Sequence, residues 1–206
     1  MIPRGRLIVF EGSDGAGKST QIRLLAYRLR ANGREVSELR EPGGTPFGEE
    51  IRTTVKQSAE FISPRAELLA MNASRAQLVD TVITPALNRG TDVLLDRFYH
   101  STVAYQGYGR QLPLDMVEAV IGAAIGTLRP DHVVLLRLPV EECLARRRAR
   151  QGTSGPDRFE RETVDFYRRV EQGYDAIAKG DPAKVHVVDA TRTIEDIHNQ
   201  ICEILW

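Results

Sequence analysis

Residues 12–19 read Gly12-Ser-Asp-Gly-Ala-Gly-Lys-Ser19, a full match to G-x-x-x-x-G-K-[ST]. Glycines at these positions let a backbone curl and turn its N–H groups inward, which suits the oxygens of a phosphate chain. Lys18 is placed to reach the outer phosphates, and Ser19 to offer its hydroxyl to a divalent metal. Asp96 closes an apolar run and can help order that metal, or simply cap the turn that follows. Arg97 comes next, and its planar fork matches a phosphate better than a lysine would.

A second concentration of charge holds Arg146, Arg147, Arg148, Arg150, Arg158 and Arg161, with Gly152 and Gly155 between them. By itself such a run reads as a solvated helix face followed by a loop. Beside a phosphate-binding loop it reads better as a lid over about 146–158, bringing positive charge to a migrating phosphoryl group and excluding water. The four histidines, His100, His132, His186 and His198, have no metal-ligand spacing, so no zinc site is expected.

These residues need a scaffold. Short apolar runs at 7–10, 36–39, 93–96, 132–138 and 185–188 read as strands, the continuous ones buried on both faces. Between them lie segments of helical period. Ile22, Leu25 and Leu29 recur at helical spacing before Gly33. Residues 46–56 form a short helix, and a long one starts after the N-cap Ser63 and bends near Pro85. Further helices are expected at 114–125, from about 140, up to about 179, and from 194 to the end. The order predicts a P-loop NTPase-like doubly wound α/β sheet of five parallel strands with helices on both faces, as one domain over 1–206. In such sheets ligands bind at the carboxyl ends of the strands, where the glycine loop and Asp96-Arg97 lie.

Composition limits the rest. A formal net charge of zero and pI near 6.9 argue against a general nucleic-acid binder. No apolar run approaches the ~20 residues that span a bilayer. Cys143 and Cys202 lie in no paired spacing, so a reduced, cytoplasmic protein is expected.

Four stretches carry a family resemblance along essentially the full length: Phe10-Glu-Gly-Ser-Asp-Gly-Ala-Gly-Lys-Ser-Thr20; Arg40-Glu-Pro-Gly-Gly-Thr45; Asp96-Arg97 with Ser101-Thr102 and Tyr105-Gln106-Gly107; and Asp157-Arg158-Phe159-Glu160. In their order and spacing the chain resembles the bacterial thymidylate kinases. The resemblance implies transfer of phosphate from ATP to dTMP with Mg²⁺, no nucleic-acid or membrane partner, and a homodimer. It implies that Gly12, Ser13, Asp14, Gly15, Ala16, Gly17, Lys18 and Ser19 hold ATP. Ser19, Asp14 and Asp96 would serve the metal, and Lys18, Arg97, Asp14, Arg150 and Arg158 catalysis. Glu41, Arg52, Met71, Arg75, Arg97, Ser101, Thr102, Tyr105 and Gln106 would bind the acceptor. In that scheme Arg75 meets thymine, Tyr105 lies against the sugar, and Asp189-Ala-Thr191 lies near the adenine.

The chain departs from the family pattern at Met71 and Phe159, where Phe and Tyr are frequent, and has Ala16 where some members carry an arginine. Members without that arginine carry it in the lid. Read singly, Met71 also fits the core of its helix, Tyr105 and Tyr108 fit half-buried tyrosines, and Arg75 fits a surface arginine. Other readings are a different nucleoside monophosphate kinase, a deoxynucleoside kinase with Glu41 as base, or a nucleotide-dependent switch without catalysis.

Overall fold

The computed structural model describes residues 3–150 and 157–206. Its centre is β1, Leu7–Glu11, whose five residues are all buried. Alternate side chains of a strand point to opposite faces, so a strand covered on both sides must be apolar throughout. Leu7 and Val9 enter one core and Ile8 and Phe10 the other. β1 pairs in parallel with β3, Asp92–Asp96, and with β4, His132–Arg137. The outer strands are β2, Val36–Arg40, beside β3, and β5, Val185–Asp189, beside β4. The resulting five-stranded sheet has the order β2-β3-β1-β4-β5. Chain direction puts Glu11, Arg40, Asp96, Arg137 and Asp189 together at the carboxyl edge.

α1, Lys18–Ala31, and α9, Ile194–Leu205, pack on one face. The other face is covered by α3, Pro64–Leu78, with α6, Leu114–Ile125, and α8, Val164–Gly180. α2, Pro46–Gln57, lies against α3, and α7, Val140–Arg150, follows β4. Polar caps set several starts: Thr45, Ser63, Thr163 and Thr193 each accept from a backbone N–H three residues on.

The structure refines the sequence reading in two places. The long helix after Ser63 becomes α3, then a π-helical stretch Val79–Ile83, then α4, Thr84–Asn88. Pro85 has no N–H to give and crowds the carbonyl four residues back, and the wider turn precedes it. The Thr81 hydroxyl donates to the Gln77 carbonyl at 2.6 Å within this region. The second place lies between β3 and α6, where no element was expected. It holds α5, Tyr99–Thr102, and a second π-helical stretch, Val103–Gly109. α8 shapes it at close range: a Cβ on Gly173 would stand 2.9 Å from the Ala104 Cα.

Both cysteines are buried and free. Among the described residues no helix is long and apolar enough to cross a membrane.

Candidate active site

Leaving β1, the chain turns at Gly12 with φ 125°, where an added Cβ would meet the Leu136 carbonyl oxygen at 2.3 Å. Only glycine lets the loop pass so close to β4. The loop ends on α1, whose N-cap Gly17 makes no side-chain cap bond, as suits a helix N-terminus that meets a phosphate. Lys18 is buried and donates to the carbonyls of Gly12 at 3.1 Å and Ser13 at 3.3 Å. Its Nζ lies 3.9 Å from carboxylate oxygens of both Asp14 and Asp96. Burial, then the charge of Arg97, lowers the Lys18 pKa, while Asp96 and Asp14 act against that. The Ser19 hydroxyl donates to Asp96 Oδ2 at 3.0 Å. Ser19, Asp96 and Asp14 thus give the loop mouth hard oxygen donors. Mg²⁺ takes such ligands a few at a time and completes its shell with water and phosphate, so these residues fit it.

Arg97 follows β3 with φ 72°, a left-handed conformation unfavourable by ~1–2 kcal/mol for a residue with a Cβ. Glu11 holds this turn. Its Oε1 accepts the N–H groups of Phe98 at 2.8 Å and Ser101 at 3.1 Å. Its Oε2 accepts the hydroxyls of Ser101 at 2.6 Å and Tyr174 at 2.9 Å. Those two hydroxyls in turn receive Arg97 Nη1, at 3.0 and 3.2 Å. Arg97 Nη2 donates to Asp14 Oδ1 at 2.7 Å. Burial raises the Asp14 pKa, but the cations of Arg97 and Lys18 outweigh it and hold the carboxyl well below the usual range.

A cleft of about 530 Å³ opens beside the loop, and every acceptor-side residue expected from the sequence lines it. Arg75 is buried, which removes the surface-arginine reading. Its Nε donates to Glu41 Oε2 at 2.7 Å, Nη1 to Asn72 at 2.6 Å and Thr102 at 2.8 Å, and Nη2 to the Phe98 carbonyl at 3.2 Å. One Nη2 proton is left over after these bonds. Glu41 is itself buried, and burial lifts its carboxyl to about 7 although Arg75 opposes the change. Arg52 donates to the Pro42 carbonyl at 2.9 Å, which ties α2 to the glycine-rich turn after β2. Met71 is half-buried, touching both the core and the cleft. Tyr105 stands edge-on to Phe159, with centroids 6.0 Å apart. Gln106 donates to Glu67 Oε1 at 2.7 Å.

The lid residues divide. Arg146 reaches the loop, with Nη1 3.5 Å from the Gly15 carbonyl oxygen. The side chain of Arg150 and residues 151–156 lie outside the described residues. Arg158, expected to act in catalysis, does not line the cleft. Its Nε donates to the Val55 carbonyl at 2.9 Å and its Nη2 bonds Glu67. The two residues after it, Phe159 and Glu160, line the cleft in its place. Asp189 and Thr191 form a local turn at the end of β5, with a hydroxyl bond of 2.7 Å.

Sequence reading passed over Glu11, Glu67 and Tyr174. An acid at the end of an all-apolar strand was the available signal for Glu11. Tyr174 was hidden in the apolar period of α8, and nothing local marks Glu67. Two histidines without ligand spacing, His132 and His186, come within 3.3 Å across β4 and β5.

Asp14 belongs to the phosphate loop, yet its nearest partner is Arg97, which follows β3 and lines the cleft with it. The phosphate loop, the parallel sheet and the cleft beside them are those of the P-loop kinases that phosphorylate nucleotides. The family model described as Thymidylate kinase matches residues 10–201, and the chain belongs to that family. It is 45% identical over 205 residues to the thymidylate kinase of Chlorobaculum parvum, covering 97% of this chain and 94% of the relative. With the thymidylate kinase of Chlorobaculum tepidum it shares 46% over 201 residues, covering 95% and 94%. The crystal structure of thymidylate kinase from Ehrlichia chaffeensis matches with a TM-score of 0.79 at 30% identity, covering 99% of this chain and 100% of that one.

Proposed function

We propose that the protein transfers the γ-phosphoryl group of ATP to the phosphate of dTMP, giving ADP and dTDP on the route to dTTP. The observation that carries this reading is the 2.7 Å contact between Asp14 and Arg97, which joins the donor loop to the acceptor pocket.

The chemistry asks for position and charge more than for covalent help. An acceptor phosphate oxygen is already ionised near neutral pH, so no side chain need remove a proton. The loop amides and Lys18 hold the donor phosphates. Ser19, Asp96 and Asp14 would hold Mg²⁺, which neutralises charge on the phosphate oxygens. Arg97 receives the acceptor phosphate, pre-aimed by Ser101 and Tyr174. Arg75 and Thr102 face the base, Met71 covers it, and Tyr105 and Gln106 bound the sugar side. Arg52 and Glu41 fix the turn that closes the pocket. The arginines of the 146–150 stretch, Arg150 among them, would supply positive charge to the transferring group. Glu41 gives one oxygen to Arg75, and a phosphate acceptor, unlike the hydroxyl of a nucleoside, asks nothing of it as a base. A single domain, a homodimeric assembly and a cytoplasmic setting complete the reading.

The test is a coupled assay with ATP, Mg²⁺ and, in turn, dTMP, dUMP, dGMP and thymidine. Formation of dTDP from dTMP, lost on chelation of Mg²⁺, is expected. Preference for thymidine, or ATP hydrolysis indifferent to any acceptor, would overturn it.

A further inference from the structure

Glu67 lies on α3 with no exposed surface. A carboxylate in such a place is tolerable only with donors around it. Its donors come from segments far apart in sequence. Gln106 Nε2, from the π-helical stretch that lines the cleft, reaches Oε1 at 2.7 Å. Arg110, just past that stretch, spans both oxygens with Nε at 3.2 Å. Arg158, where the chain returns from the lid, bonds Oε2. Arg110 is also paired with Glu162, so two acids face two guanidinium groups.

The return segment is pinned at several points. The Arg158 backbone N–H donates to the Lys56 carbonyl at 3.0 Å, and Lys56 pairs with Asp157 at 2.8 Å. The guanidinium of Arg158 lies 4.9 Å from the ring of Phe159, and that ring meets Tyr105 in the cleft. A shift of Glu67 would therefore move Gln106 and the Arg158–Phe159 step together.

We propose that Glu67 is a positioning residue that ties the acceptor pocket to the C-terminal root of the lid through one buried carboxylate. Arg158 then acts through Glu67 and not on the transferring phosphate. An acceptor seated against Tyr105 and Gln106 steadies residues 157–162, so the lid root is set when the acceptor is in place. This deepens the reading of the cleft as a dTMP site and rests on it.

The experiment compares wild type with Glu67→Gln by steady-state kinetics and by hydrogen exchange with dTMP alone. In wild type, dTMP should slow exchange of the Arg158 amide by about threefold or more. In Glu67→Gln that slowing should vanish, the dTMP KM should rise about tenfold, and kcat should fall about tenfold. ATP affinity without dTMP should stay within about twofold. A variant that is only less stable, keeping its dTMP KM and its dTMP-dependent protection, overturns the proposal.

Should Glu67→Gln fail to fold, Arg158→Leu asks the same question and leaves Glu67 paired with Arg110. A dTMP KM raised about tenfold supports the tie, whereas a loss of about 10³ in kcat at constant KM assigns Arg158 to the transferring phosphate and overturns it. A wild type that makes no dTDP counts against the dTMP reading alone. The tie then stands only if Glu67→Gln speeds ligand-free exchange at 103–109 and 157–162 together, and a change confined to one segment overturns it.

Discussion

Arg97 Nη2 lies 2.7 Å from Asp14 Oδ1, so an arginine at the end of β3 is held by an acid from the phosphate loop after β1. The two strands are neighbours in the sheet, and their carboxyl ends bring the groups together. Asp14 aims the guanidinium while the other nitrogen rests on Ser101 and Tyr174.

Arg97→Ala should lower dTDP formation by ~10²–10⁴-fold with ATP affinity nearly unchanged. Arg97→Lys should restore little, because a point charge cannot bond Asp14 and a phosphate as a fork does. Single-turnover rates at saturating dTMP decide the matter, and near-normal turnover by Arg97→Ala would remove its assigned role.

Glu11→Gln should destabilise the protein by about 2–4 kcal/mol, since an amide nitrogen would face donors that now meet a carboxylate. Because those donors fix the Arg97 turn, the dTMP KM should rise more than the ATP KM. Urea denaturation and the two KM values measure this. Wild-type stability would show that the Glu11 network does not hold the turn.

Glu41 gives a pH signature. Its carboxyl sits at about 7 in the fold against an ordinary 4.5. The folded state therefore favours the protonated form, and that contribution to stability, full below pH 4.5, is lost as pH rises through 7. Glutamine does not titrate, so Glu41→Gln should gain on wild type by up to ~3 kcal/mol across that window. Denaturation midpoints at several pH values follow the difference, and a flat difference would contradict it.

Met71→Phe should lower the dTMP KM by about three- to tenfold, because a flat ring covers a base better than a flexible thioether. An unchanged KM with altered stability would instead assign Met71 to the core alone.

Much of the fold was legible because its signals are local. Buried parallel strands must be continuously apolar, and caps such as Ser63 and Thr45 mark helix starts. The stretch from Tyr99 to Gly109 was not legible, because contacts with α8 shape it. The cleft residues had a readable identity but no readable partners. Read singly, Arg75 also fits a surface arginine, and Glu41, Asn72 and Thr102 close around it only in the fold. Arg158 reads from the sequence as part of the lid, and nothing local marks Glu67 as its partner.

The sequence by itself determined the phosphate loop, the parallel sheet and the residue types that crowd its carboxyl edge. Those follow from spacing, period and backbone chemistry, which are properties of neighbouring residues. Only the tertiary structure decided which partner each charge meets: Asp14 with Arg97, Glu11 with the turn that carries Arg97, and Glu67 with Gln106 and Arg158. Each of those pairs spans tens of residues, and a buried charge takes whatever partner the fold brings within bonding distance.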